Sequence, residues 1–199
     1  AVTGSHCTFS RALEAFRPLK RDYTLVPILS GAAAGTDTRF FAASAFRAEL
    51  EAFCAREAVD TIVKAEPLGT IAEAEPIGPK RLADAVLVAP CTGSTLAKLA
   101  RGVTDTAVTM ACKAHLRNGA PLILAISTND GLSGSAESIA ALLQRKNVYF
   151  VPFRQDDPAR KPTSLVADFS LVPAAIDAAL EGRYITQADY DKLIAWSEG

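Results

Sequence analysis

Four short stretches place glycine and hydroxyl side chains where an apolar run gives way to a helical pattern, the arrangement that suits an anion. Thr3-Gly4-Ser5-His6 is the first. Glycine lets the backbone come close, the hydroxyl groups donate, and the free N–H groups of the following helix favour a phosphate; the same residues also read as a simple helix cap. The second, Ser30 to Thr38, includes Thr36 and is built from side chains small enough to leave space for a flat ligand, or to form a flexible connection. In the third, Thr92, Gly93, Ser94 and Thr95 leave a buried apolar run and open a helix. The fourth, Ser127-Thr128-Asn129-Asp130-Gly131, reads as a ligand loop or as a turn with a helix cap.

Groups for acid–base or nucleophilic work are scarce, and the catalytic residues stay unassigned. There is no GxSxG elbow, no GxxxxGK[ST] phosphate loop and no GxGxxG fingerprint, so a mononucleotide or flavin fits better than a conventionally bound dinucleotide. The two histidines are His6 and His115; the second falls near a helix C-terminus, the place of a dipole-stabilised structural histidine. Cys7, Cys54, Cys91 and Cys112 contain no CxxC pair, so neither a zinc site nor a disulfide framework is expected. Arg154, Arg160 and Lys161, beside Asp156-Asp157, are partners for a carboxylate substrate or members of a solvated loop. Asn129, Asp130, Arg160 and Lys161 are the substrate-binding candidates.

The elements that must carry these loops follow from periodicity. Phe9, Leu13 and Phe16 mark a helix ended by Pro18, and Phe46, Leu50 and Phe53 mark a longer one. Strands are expected at 24–30, 60–63, 85–90, 121–126 and 148–151. Helices are expected at 94–100, 105–118, 135–146, 171–181 and 186–197, the last with Tyr190, Leu193 and Ile194 on one side. Gly119 and Gly182 stand where helices should close. The proline- and glycine-rich stretch 65–80 reads as irregular, and 152–164 as a polar exposed loop. Ala1-Val2 reads as the end of a first strand, which leads us to expect a polypeptide beginning several residues earlier. Alternation of apolar strands with helices implies a single α/β domain over 1–199. Its sheet is doubly wound, mostly parallel and Rossmann-like, with helices on both faces and C-terminal helices at 170–199 packed against it.

With 199 residues, a net charge of −1, 49% hydrophobic and 22% charged residues, the chain is long enough for a substantial core and too apolar for disorder. Its charge balance offers no footprint for nucleic acid, and no apolar stretch is long enough for a membrane helix.

Taken together, the motifs resemble the family of dipicolinate synthase B subunits. The resemblance rests on Thr-Gly-Ser-His-Cys-Thr-Phe-Ser at 3–10, Thr-Asp-Thr-Arg-Phe at 36–40, Ala-Glu-Pro-Leu-Gly at 65–69, and Pro-Ile-Gly-Pro-Lys at 76–80. It continues through Ala-Pro-Cys-Thr-Gly-Ser at 89–94, Lys-Ala-His-Leu-Arg-Asn-Gly at 113–119 and Ala-Ile-Ser-Thr-Asn-Asp at 125–130. Tyr-Phe-Val-Pro-Phe at 149–153 and Lys-Pro-Thr-Ser-Leu-Val at 161–166 complete it, over residues 2 to about 183. This family looks like a branch of the flavoprotein fold shared by flavin-dependent cysteine decarboxylases and flavin prenyltransferases. The resemblance implies FMN, with Gly4 and Ser5 at the phosphate, Ser30 near the ribityl chain or ring, and Thr92, Ser94 and Thr95 in the place of the decarboxylases' Pro-Ala-Ser-Ala-Asn-Thr loop; His6, Thr36 and Gly93 complete the cofactor-binding candidates. It implies an oxidoreductase component that works with the dipicolinate synthase A subunit to oxidise dihydrodipicolinate to dipicolinate, in the mother-cell cytoplasm of a spore former, and a homo-oligomer of trimers or multiples. The chain departs from the decarboxylases at three places: Ser94 replaces their Asn, residues 39–57 contain no histidine, and Ser127 to Asp130 replaces their Pro-x-Met-Asn loop. A self-sufficient flavin enzyme, which would turn over without a partner, and a non-catalytic scaffold remain the alternatives.

Overall fold

In the computed structural model, residues 1–40, 42–54, 56–58, 61–63 and 66–189 are described. Helices α1 (Phe9–Phe16), α2 (Leu19–Asp22), α3 (Gly31–Gly35) and α4 (Ala43–Cys54) lead to a small antiparallel pair, β1 (Arg56–Ala58) and β2 (Thr61–Val63). Helix α5 (Ile71–Ala74) precedes β3 (Val86–Cys91), α6 (Gly93–Arg101) and α7 (Ala107–Leu116). Strand β4 (Leu122–Thr128), α8 (Ala136–Leu143), β5 (Val148–Phe150), β6 (Phe153–Asp157), β7 (Lys161–Ala167) and α9 (Val172–Leu180) complete the order.

The central layer is mostly parallel. Strand β4 lies parallel to β3 on one side and to β5 on the other. The sheet extends beyond β3 through short bridges: Val2 pairs with Leu29 and Ile28 with Leu68, both parallel. The first segment lies beside β3, since the Ala89 N–H donates to the Ala1 carbonyl at 2.9 Å and the Thr3 N–H to the Pro90 carbonyl at 3.3 Å. Across the sheet the chain segments run third, second, first, fourth, fifth, sixth, the order of a doubly wound fold, and the order reverses between Val2 and β3.

Strand residues divide between two cores by parity, as side chains on a strand must. Ile123, Ala125, Tyr149 and Val151 pack with Phe9, Leu13, Phe46 and Ile176 from α1, α4 and α9. Leu122, Leu124, Ile126, Val148 and Phe150 face Leu96, Leu99, Val108, Ala111 and Leu142 from α6, α7 and α8. Leu122, Ile123, Leu124 and Ile126 are fully buried, each contributing about 1.5–3 kcal/mol of transfer free energy. Phe9 stacks on Phe46 with ring centroids 4.1 Å apart, tying α1 to α4.

Several expectations change. Residues 152–164 are not an exposed loop but chiefly the β6–β7 hairpin, and the cause is β4. It runs past the three residues of β5, leaving Ser127 and Thr128 with an open edge, which Val166 and Leu165 of β7 pair antiparallel. The strand expected at 24–30 contracts to bridges at Ile28 and Leu29, because Pro27 has no N–H to give and Val26 is exposed. The stretch 65–80 is partly helical: Thr70 and Glu73 form a reciprocal capping box on α5, and a 3-10 turn follows at Glu75–Ile77. Thr61–Val63 is extended but antiparallel; Asp60 lies outside the described residues. A helical turn begins at 187–189, and the remainder of the helix expected at 186–197, with Tyr190, Leu193 and Ile194, lies outside them too. Gly102, Gly119 and Gly182 take φ near +72°, closing α6, α7 and α9 where a side chain would strain the backbone. Among the described residues no helix is long and apolar enough to cross a membrane.

Candidate functional site

The reversal of strand order between Val2 and β3 opens a crevice at the carboxyl ends of those strands. A cavity of about 480 Å³ lies there, within the range of small-molecule and cofactor sites. It is lined by the loop after the first segment (Gly4 to Cys7), by Thr38 and Phe40, by the start of α6 (Thr92 to Ser94), and by the end of β4 with its loop (Ser127 to Asp130).

Hydroxyl groups knit these loops together. Thr3 Oγ1 donates to the Pro90 carbonyl at 2.8 Å and accepts from the Thr92 N–H at 3.0 Å, so the first and third loops share a hinge. Ser5 Oγ lies 2.7 Å from Ser127 Oγ, joining the first loop to the fourth, with Thr8 Oγ1 donating to the Ser5 carbonyl at 2.8 Å beneath them. Thr92 Oγ1 accepts from the Thr95 N–H at 3.3 Å, the N-cap of α6, and meets Thr95 Oγ1 at 3.0 Å. The Gly93 and Ser94 amides, in the first turn of α6, have no carbonyl acceptor in their own helix. An anion in the cavity would meet them along the positive end of the helix dipole.

Among the described residues, Asp130 is the one Asp or Glu in the cavity wall, and no Lys or Arg stands there. Its Oδ1 accepts from Thr128 Oγ1 at 2.5 Å and from Ser135 Oγ at 2.8 Å. These bonds, Thr128 first, hold the carboxyl below its usual range. Gly93 sits against this network: a Cβ there would come within 2.5 Å of Ser135 Oγ and 2.6 Å of Thr128 Oγ1. The β6–β7 hairpin clamps the loop from behind, with Thr163 Oγ1 donating to the Asn129 carbonyl at 2.7 Å and Ser164 Oγ to the Thr128 carbonyl at 3.2 Å.

Of the expected cofactor residues, Gly4, Ser5, His6, Thr92, Gly93 and Ser94 meet in this cavity. Ser30, Thr36 and Thr95 stand outside its wall. Ser30 Oγ accepts from the Ala33 N–H as the cap of α3, the Thr36 N–H closes that helix on the Ala32 carbonyl, and Thr95 supports Thr92 from below. Of the substrate candidates, Asn129 and Asp130 line the cavity, and Asp130 acts as a strut for its loop. Arg160 and Lys161 do not line it: they occupy the tip of the β6–β7 hairpin, where Lys161 Nζ pairs with Asp156 at 2.9 Å and Arg160 lies beside Asp157 at 4.0 Å. Cys7, Thr38, Phe40, Ser127 and Thr128 complete the wall: Thr38 ends the second of the loops singled out in the sequence, Ser127 and Thr128 open the fourth, and Cys7 and Phe40 follow the first and second. The signal for Ser127 and Thr128 is their place at a strand's carboxyl end, and for Thr38 its place in the second loop; Phe40 lies just past that loop.

His115 is 1% exposed, with Nε2 3.1 Å from the Pro121 carbonyl. Burial lowers its pKa, so it is a neutral structural imidazole, not a cation held by the helix dipole. Among the described residues no group of three His, Cys, Asp or Glu is placed to hold a metal.

Comparison with known proteins gives this geometry a family. Residues 1–154 match the family model described as Flavoprotein. The dipicolinate synthase B subunit of Bacillus subtilis (strain 168) is 40% identical over 180 residues, covering 90% of this chain and 86% of that protein. The crystal structure of the dipicolinate synthase B subunit from Bacillus halodurans C superposes with a TM-score of 0.79 at 36% identity, over 93% of this chain and 91% of that one. The FMN-dependent cysteine decarboxylase SpaF shares the fold at a TM-score of 0.62 and 16% identity, over 90% and 92% of the two chains. This chain belongs to the Flavoprotein family and, within it, to the dipicolinate synthase B subunits.

Proposed function

We propose that this chain is the FMN-binding B subunit of a dipicolinate synthase, and that together with the A subunit of that enzyme it oxidises dihydrodipicolinate to pyridine-2,6-dicarboxylate. The observation that carries the reading is the cavity at the switch point, walled by the hydroxyl- and amide-bearing loops of a chain 40% identical to a dipicolinate synthase B subunit.

The residues present fit FMN. Gly4 and Gly93 let the loops of the wall pack closely: a Cβ on Gly4 would lie 3.1 Å from the Ala32 methyl, and one on Gly93 would collide with Ser135 and Thr128. Amides and hydroxyls, with no Lys or Arg in the wall among the described residues, make a phosphate site of the kind a near-neutral chain can build. Gly4, Ser5 and His6 hold the phosphate in this reading, with Thr92, Gly93 and Ser94 along the remainder of the group. Bound FMN supplies a two-electron acceptor for a ring that becomes aromatic as it loses hydride and a proton. The chain's own part would be to hold the group and the substrate together in the cavity, with Asn129 in its wall and Asp130 holding the loop. The protein works in the cytoplasm of a sporulating cell and assembles as a homo-oligomer, a trimer or a multiple of one.

Reconstitution tests the reading. The purified chain should take up FMN stoichiometrically, Ser5→Ala should weaken that binding, and dipicolinate should form from dihydrodipicolinate only when both the A and B subunits are present. Absence of flavin uptake by the complex, together with undiminished dipicolinate formation, would sink the flavin assignment.

A further inference from the structure

Resting on that reading, we propose that Arg39 is the specificity-determining residue that binds a ring carboxylate of the substrate at the cavity mouth. A ring bearing two carboxylates needs cationic partners, and among the described residues the cavity wall contains no Lys or Arg. The Asp130 carboxylate in that wall would repel such a ligand. Arg160 and Lys161 are beside Asp157 and Asp156 at the hairpin tip.

Arg39 is placed differently. Its guanidinium carbon lies over the Phe40 ring, 4.9 Å from the centroid, and Phe40 is itself part of the cavity wall. Phe40 is 48% exposed and Arg39 is exposed as well, so an accessible cation rests against a ring of the cavity wall. No acidic side chain pairs with Arg39 among the described residues. A guanidinium that lies over an aromatic ring keeps N–H groups available to an acceptor, and its fork can take a carboxylate with two parallel bonds. The segment is anchored on both sides: the Phe40 N–H donates to Thr38 Oγ1 at 3.2 Å, and Asp37 Oδ1 accepts from the Ala43 N–H at 2.8 Å where α4 begins. Asp37 is thus engaged in holding the helix start.

The test uses the FMN-loaded complex of the A and B subunits, titrated with pyridine-2,6-dicarboxylate and with pyridine-2-carboxylate. Arg39→Gln should weaken binding of the dicarboxylate by between about tenfold and a hundredfold, the range for hydrogen bonds to charged groups. The preference for dicarboxylate over monocarboxylate should shrink with it. Turnover should fall through KM more than through kcat, while FMN retention and the unfolding midpoint stay as in the unaltered chain. Arg39→Lys should lose less, keeping the charge without the fork, and Phe40→Leu should cost about two- to fivefold through the lost stacking. If Arg39→Gln binds both acids as the unaltered chain does, Arg39 has no such role and the dipicolinate synthase reading stands. If the unaltered complex neither binds nor forms the dicarboxylate, that reading fails and the assignment of Arg39 falls with it.

Discussion

Gly93 ties the cavity to the stability of the chain, and His115, away from the cavity, ties that stability to pH. Gly93 lacks a side chain because the Thr128–Asp130–Ser135 network fills the space a Cβ would need. Gly93→Ala should cost about 1–3 kcal/mol, the range for overpacking a filled site, and should weaken FMN binding in the same variant. Chemical denaturation and flavin titration measure the two effects. His115 acts on stability through pH. Burial depresses its folded pKa below the unfolded 6.5, so the unfolded chain binds a proton that the folded chain refuses. Its contribution is therefore full above about pH 6.5 and lost as pH falls below that value. Unfolding midpoints at neutral and mildly acidic pH should differ by less in His115→Gln than in the unaltered chain; an unchanged difference would refute the assignment.

At the scale of elements, α6 and α7 begin with the same device and serve different ends. Thr92 caps α6 at the cavity, and Thr106 forms a capping box with Thr109 on α7, away from it. Thr92→Ala and Thr106→Ala should each cost about 1 kcal/mol of stability. Only Thr92→Ala should also weaken FMN binding, since Thr92 lines the cavity and takes part in the Thr3–Thr92 contact. The main strands and long helices are legible in the sequence because their periodicity is local: Phe9, Leu13 and Phe16 share a face whatever surrounds them. The β6–β7 hairpin is not, because its residues are polar on the outside and its pairing depends on the length of β4, a distant segment.

For the whole molecule, thiol reactivity reports how the two cores close around the sheet. Cys54, Cys91 and Cys112 are buried, and burial pushes the Cys54 thiol up to about 11, Cys112 up to about 12, and Cys91 well above its usual value. Cys7 alone of the four is exposed, in the cavity wall. A thiol reagent at mildly alkaline pH should modify one equivalent rapidly in the native protein and four after denaturation, and FMN should protect the rapid one. Labelling of more than one thiol at the rapid rate would contradict the packing described. From residue order alone came the alternation of strands and helices, the hydroxyl- and glycine-bearing loops at strand ends, and the family motifs, because periodicity and turn chemistry act between near neighbours. Tertiary structure decided which loops share a wall. Ser5 meets Ser127 across 122 residues, Phe40 enters the cavity with Arg39 against it, and Arg160 and Lys161 are held at the hairpin tip. Those outcomes depend on strand order and on where each strand stops, which are settled only when all the segments compete for the same sheet edges.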